Sequence, residues 1–239
     1  LPETLCGNVG WNDGMVGILS SCDAILCPKG FAQPAGRQTD ALHPCEECPA
    51  GLESAPYLGT RECIDPDIVA QTDVLTNFYV ATNGTNWLSQ TNWLSNNPVC
   101  SWFGVQCDEN GFVEEIDLGS NFLKGGYGNS ASVSDILKLP GLKVLDLKNN
   151  DITLDFHAIP VDSKLEFVRL SGTGLRSLEG ISRATHLEDL HVTNNEIVYI
   201  PNELYDMVSL KALFLSFNGI TGTIPREIGK LSNLSELYL

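Results

Sequence analysis

Leu142 to Ile152 reads LKVLDLKNNDI, Leu187 to Ile197 reads LEDLHVTNNEI, and Leu210 to Ile220 reads LKALFLSFNGI. In each, apolar residues occupy the first, fourth, sixth and eleventh positions, and Asn the ninth. Val113, Ile116, Leu118, Asn121 and Leu123 fit the same pattern, as do Leu165, Val168, Leu170 and Leu175 with Thr173 in place of the Asn. A sixth copy begins at Leu234, Leu237 and Leu239. Successive first positions, 113, 142, 165, 187, 210 and 234, lie 29, 23, 22, 23 and 24 residues apart. Apolar residues two apart share one face of a strand, and an Asn just beyond can bond the backbone of the turn. Stacked copies therefore predict a parallel sheet with an Asn ladder along its edge. The long first interval predicts a loop at Gly125, Gly126, Tyr127 and Gly128. No copy can bury its own apolar face, so stability is a property of stacking between neighbours. Thr173 should weaken one rung slightly.

This spacing is identified as that of leucine-rich repeats. Gly219 to Leu231, GITGTIPREIGKL, further resembles the plant-type phrase L-x-G-x-I-P-x-x-L-G-x-L, whereas the middle repeats are shorter and lack it. The expected fold is an α/β solenoid, a leucine-rich-repeat horseshoe with a parallel sheet, preceded by a small disulfide-rich module. The expected boundaries are 1–63 for the module, 64–112 for an N-terminal cap and 113–239 for the repeats.

The 239 residues suit one or two domains, and 43% apolar content is that of a folded chain. A net charge of −16 argues against nucleic acid and anionic membrane surfaces as partners. It fits solubility in a saline or extracellular setting better than calcium binding. Asp65 with Asp67, and Asp108 with Glu109, could give weak calcium affinity, but EF-hand spacing is missing. No apolar run is long enough to span a bilayer, so direct membrane insertion of this segment is not expected. The chain lacks an initiator Met and a leader, and it stops within a strand motif. We therefore expect a removed signal peptide or a fragment, and a natural protein that continues beyond Leu239.

All eight cysteines precede residue 108, an even number in a Gly- and Pro-rich region, which reads as a disulfide framework in an oxidising compartment. Zinc is the competing reading, since Cys45 and Cys48 stand near His43. The secreted-type pair Cys100 and Cys107 favours disulfides, and no metal or other cofactor is expected. Cys27-Pro28-Lys29-Gly30-Phe31, Cys45-Glu46-Glu47-Cys48-Pro49-Ala50-Gly51 and Gly59-Thr60-Arg61-Glu62-Cys63 resemble the cysteine-rich modules of ephrin-receptor and tumour-necrosis-factor-receptor ectodomains. That resemblance implies bridges from Cys27 to Cys45 and from Cys48 to Cys63, with Cys6 and Cys22 left to pair.

Asp65-Pro66-Asp67 reads as a helix start, with Asp65 as N-cap and Pro66 in the first turn. Val74, Leu75, Phe78 and Tyr79 recur at helical spacing up to a stop at Asn83-Gly84. This helix should cover the open end of the first repeat, with Trp87 and Trp93 beneath it. Trp93, Cys100, Trp102, Gly104, Val105 and Cys107 resemble the N-terminal cap of plant leucine-rich-repeat receptors and polygalacturonase-inhibiting proteins. The resemblance implies that Cys100 bonds Cys107 and that the tryptophans seal the solenoid. A cysteine-rich module ahead of this cap is similar to secreted leucine-rich-repeat families of photosynthetic protists such as diatoms. Asn83-Gly84-Thr85 and Asn233-Leu234-Ser235 are glycosylation acceptors, Asn83 the better one because it follows the helix in a polar turn.

Third, fifth and seventh repeat positions point away from the core. The fifth positions read Asp117, Asp146, Arg169, His191, Phe214 and Tyr238, and the third Glu115, Val144, Phe167, Asp189, Ala212 and Glu236. The exposed face thus passes from acidic to aromatic. Large aromatics there serve mutual shielding, packing under further repeats, or binding. The candidate ligand-binding residues are Phe167, Arg169, His191, Phe214 and Tyr238. His191 beside Asp189 could titrate near neutral pH, although a lone exposed His is commonly incidental. Phe217, just before an Asn, is expected to pack in the turn. No G-x-S-x-G elbow, H-E-x-x-H or P-loop occurs, and catalysis is not expected. The function expected is extracellular or cell-surface recognition of a protein, peptide or glycan through the concave face. The alternative is a structural component of a wall, matrix or appendage, in which self-assembly would matter.

Overall fold

The computed structural model describes residues 27, 31–34, 44–49, 52, 63, 65–95, 97–126 and 133–239. Contacts divide the chain into two compact units, Leu1–Ala70 and Gln71–Leu239. In the first, β1 (Phe31–Ala32) pairs antiparallel with β2 (Glu46–Glu47). Bridges join Cys27 to Cys45 and Cys48 to Cys63, so none of these thiols is left for a metal. Strands of two residues bury little, and cross-links that restrict the unfolded chain supply stability instead. Cys6, Cys22 and His43 lie outside the described residues.

Helix α1 (Pro66–Ala81) starts where Asp65 accepts the Asp67 amide on its carboxylate at 2.9 Å, as an N-cap does. It stops where Asn83 adopts a left-handed φ of 61°. Its buried residues are Gln71, Leu75, Phe78 and Tyr79. Phe78 and Tyr79 meet Trp87 edge-on at 6.1 and 5.0 Å, Tyr79 stacks on Trp93 at 5.7 Å, and Trp93 reaches Trp102 at 4.9 Å. Each indole N–H finds a carbonyl: Trp87 that of Thr82, Trp93 that of Phe103, and Trp102 that of Asn97. Helical periodicity did not single out Gln71. Its buried amide donates to Gly111 O at 2.7 Å and accepts from Val113 N at 2.9 Å, satisfying the backbone where the repeats begin.

Cys100 is bridged to Cys107. β3 (Val105–Cys107) runs antiparallel to β4 (Val113–Asp117), a hairpin the motif did not foretell. The Asp108 carboxylate closes it by accepting from Asn110 N and Phe112 N, both at 2.9 Å, so this acid too is used by the fold. Further along come β5 (Lys124–Gly125), β6 (Val144–Asp146), β7 (Asp151–Ile152), β8 (Phe167–Arg169), β9 (Asp189–His191), β10 (Ala212–Phe214) and β11 (Glu236–Tyr238). The main sheet has the order β11-β10-β9-β8-β6-β4-β3, parallel except at β3, which pairs with the otherwise open edge of β4. β5 and β7 form a small parallel sheet of their own. Gly125 is therefore a strand residue rather than part of a loop; Gly126 follows at φ 94°, and Tyr127 and Gly128 lie outside the described residues.

Opposite the main sheet, 3-10 turns at Asp135–Lys138, Phe156–Ala158, Ile181–Arg183, Asn202–Asp206 and Arg226–Lys230 return the chain. Leucine and valine fill the layer between, with Leu145, Val168, Leu190 and Leu213 fully buried. The Asn ladder binds the repeats together. Asn150 Oδ1 accepts from Asn121 N and Leu123 N of the repeat before, at 3.1 and 3.0 Å, while its amide donates to Leu118 O and Leu147 O, both at 2.9 Å. Asn195 holds Thr173 N and Leu175 N in the same way. Thr173 has one proton, shared between Leu170 O at 2.9 Å and Asn195 Oδ1 at 3.2 Å, and reaches its own turn and the next rung. One residue before each rung the backbone is left-handed, at Ser120, Asn149, Gly172, Asn194 and Phe217.

Candidate recognition face

Strand register sets the outer face. Glu115, Val144, Phe167, Asp189, Ala212 and Glu236 stand side by side in one row, and Asp117, Asp146, Arg169, His191, Phe214 and Tyr238 in the next. The second row changes character along its length. Asp146 is not the solvated acid its position suggested: its side chain is 4% exposed, with Lys148 Nζ at 2.8 Å and Arg169 Nη1 at 3.9 Å from Oδ2. Two flanking cations compensate a carboxylate that burial would otherwise disfavour. Arg169 also lies over the Phe167 ring, 6.0 Å from its centroid.

His191 and Phe214 have ring centroids 4.0 Å apart, and Phe214 stacks on Tyr238 at 4.7 Å with planes 8° apart. The Phe214 faces are thereby taken by its neighbours, leaving ring edges toward solvent. Those edges carry the positive end of the aromatic quadrupole. His191 Nε2 is 2.7 Å from Asp189 Oδ1, within ion-pair reach but not aligned as a hydrogen bond. That occluded oxygen has no hydrogen-bond donor among the described residues. Phe217 does not pack in its turn. It is 82% exposed, and φ of 57° is an unfavourable setting for an aromatic residue.

On the side of the 3-10 turns, a cavity of about 520 Å³ is lined by Asp135, Lys138, Asp155, His157 and Arg183 among others. Its charges are matched internally: Lys138 with Asp135 at 2.6 Å, His157 with Asp155 at 2.9 Å, and Arg183 Nε on Ile159 O at 2.8 Å. The His157 backbone N–H, then its ring, hold the Asp155 carboxyl below the usual range. Asn83 and Asn233, the first residues of the two Asn-x-Ser/Thr triplets, are both exposed. Asn83 uses only Oδ1, accepting from Asn86, whereas Asn233 commits its amide to Val208 O at 2.8 Å. Among the described residues, no group of three or more His, Cys, Asp or Glu could hold a metal ion, and no helix is long and apolar enough to cross a membrane.

Residues 209–231 match the family described as Leucine Rich Repeat. The second unit has the leucine-rich-repeat solenoid fold. It is 36% identical over 104 residues to vasorin of Mus musculus and 32% identical over 151 residues to the receptor-like protein Cf-9 homolog of Solanum lycopersicum. These alignments cover 42% and 59% of the chain, which spans only 16% and 17% of the two relatives' lengths. Among solved structures, the repeats resemble the Arabidopsis receptor kinase HAESA ectodomain in complex with an IDA peptide hormone ligand. That match has a TM-score of 0.53 at 25% identity and covers 73% of this chain and 33% of the receptor chain.

Proposed function

We propose that this leucine-rich-repeat protein is an extracellular or cell-surface recognition module that binds a peptide or an extended protein segment across β8 to β11. Disulfides in both units and the acidic composition support an oxidising, extracellular setting. The resemblance to a peptide-bound receptor ectodomain supports the ligand class. The observation that carries the reading is the row Arg169, His191, Phe214 and Tyr238, which sets a cation beside a run of stacked rings where the solenoid core needs neither. Sugars bind aromatic groups through ring faces, and both Phe214 faces are occupied, so this residue at the middle of the run favours peptide over glycan. Backbone carbonyls and carboxylates suit ring edges and a guanidinium. Binding rather than catalysis is the role assigned.

The test compares the whole chain with Phe214→Ala and Arg169→Ala on a synthetic peptide array and a glycan array. Peptide binding that falls at least tenfold in either variant, with the repeats still folded by circular dichroism, is the expected result. Glycan binding, or peptide binding indifferent to both changes, would overturn the proposal.

A further inference from the structure

A second surface lies on the cap, apart from the aromatic row. The segment 88–95 is stitched on one side to the turn after β4: Leu88 N donates to Asn121 O at 3.2 Å, Ser89 N to Asn121 Oδ1 at 2.7 Å, and Asn121 Nδ2 to Ser89 O at 2.9 Å. On the other side Phe103 N donates to Thr91 O at 2.9 Å and Asn92 Nδ2 to Ser101 O at 2.8 Å. These bonds bring together three stretches of backbone that carry four large exposed apolar side chains. Leu88 and Phe122 are each 67% exposed, Leu94 50% and Phe103 42%. Leu94 and Phe122 moreover hold left-handed backbones, at φ 58° and 62°, which Asn or Gly would adopt with less strain. At Leu94 and Phe122 exposure and strain fall on the same residue, and Leu94 and Phe103 each directly follow a tryptophan of the packed pair Trp93 and Trp102. Such outliers persist where the surrounding structure holds them, and they collect at binding sites.

Charge adds the second half of the argument. Asp117 N donates to Gly104 O at 2.8 Å and Glu115 is in register with Gln106, so the strand that carries both carboxylates runs beside the backbone that follows Phe103. Among the described residues neither has a cationic partner within ion-pair distance. We infer that this face of the cap docks a partner protein segment that brings apolar side chains together with at least one Lys or Arg. Apolar contacts would supply affinity, while Asp117 and Glu115 would select the basic group and set its position.

The probe is a random linear peptide library displayed on phage, panned against the whole chain and against Leu94→Asn/Phe122→Asn. Recovered peptides should combine Lys or Arg with Leu, Phe, Trp or Tyr, and should bind the double variant at least tenfold more weakly. Asp117→Asn should weaken them several-fold and reduce the salt dependence of binding. Because Asn tolerates the left-handed region, the double variant should melt no lower than the parent. The inference is overturned if no peptides are enriched, if they lack basic residues, or if the double variant binds them equally well. A lowered melting temperature would instead assign Leu94 and Phe122 to packing. Concentration-dependent dimerisation abolished by the double variant would give the face to a second copy, which also overturns the inference.

Discussion

Replacing Asn150 with Ala tests whether the ladder binds one repeat to the next. The side chain, 5% exposed, satisfies two amides of the preceding repeat and two carbonyls. At about 1 kcal/mol net for each bond, its loss should destabilise the chain by about 4 kcal/mol, less whatever water entering the gap restores. Asn150→Thr should lose about half as much, since a hydroxyl can still serve its own turn, as Thr173 does with Leu170 O. Urea unfolding followed by far-ultraviolet circular dichroism gives the energies, and hydrogen exchange gives the address. Asn121 N and Leu123 N donate to Asn150, so protection should fall at those two amides of the earlier repeat. A loss under about 1 kcal/mol with both amides still protected would refute the ladder as the coupling element.

Trp93 contacts Tyr79, Trp87 and Trp102, and Trp93→Ala should destabilise the repeat unit by about 3 to 5 kcal/mol in the same unfolding assay. Cys100 and Cys107 close a span of 7 residues, and removing the bridge in Cys100→Ser/Cys107→Ser should destabilise by about 2.5 kcal/mol, measured against the oxidised parent. The Phe112 amide, and less strongly that of Asn110, holds the Asp108 carboxyl below its ordinary value of 3.8. A depressed carboxyl contributes stability that is present above that value and lost as pH falls through the folded one. Asp108→Asn should therefore remove a part of the acid sensitivity seen below about pH 4 in urea midpoints while leaving the neutral-pH slope unchanged.

Periodicity was enough for the strands and the rungs, because a spacing of two assigns each residue to a face whatever the neighbouring repeat holds. Capping chemistry placed the start of α1 at Asp65 and Pro66 for the same local reason. Gln71 escaped notice because its partners, Gly111 and Val113, are 40 and 42 residues away. The β3 hairpin escaped because a three-residue strand that follows a glycine and ends in a cysteine carries little pattern. The two outer rows could be written from the sequence, but not what their members do to one another.

Alone, then, the sequence determined the repeat, the inward leucines, the rungs and which residues share the outer face, since these depend on spacing along one chain segment. Tertiary structure decided the rest through distances between repeats. It buried Asp146 between Lys148 and Arg169, and stacked Phe214 between His191 and Tyr238 so that edges rather than faces meet solvent. It turned Phe217 outward, and it brought the cap segments that carry the exposed Leu88, Leu94, Phe103 and Phe122 side by side. Burial and ring geometry are set by neighbours a whole repeat away, and no single stretch of the chain encodes that distance.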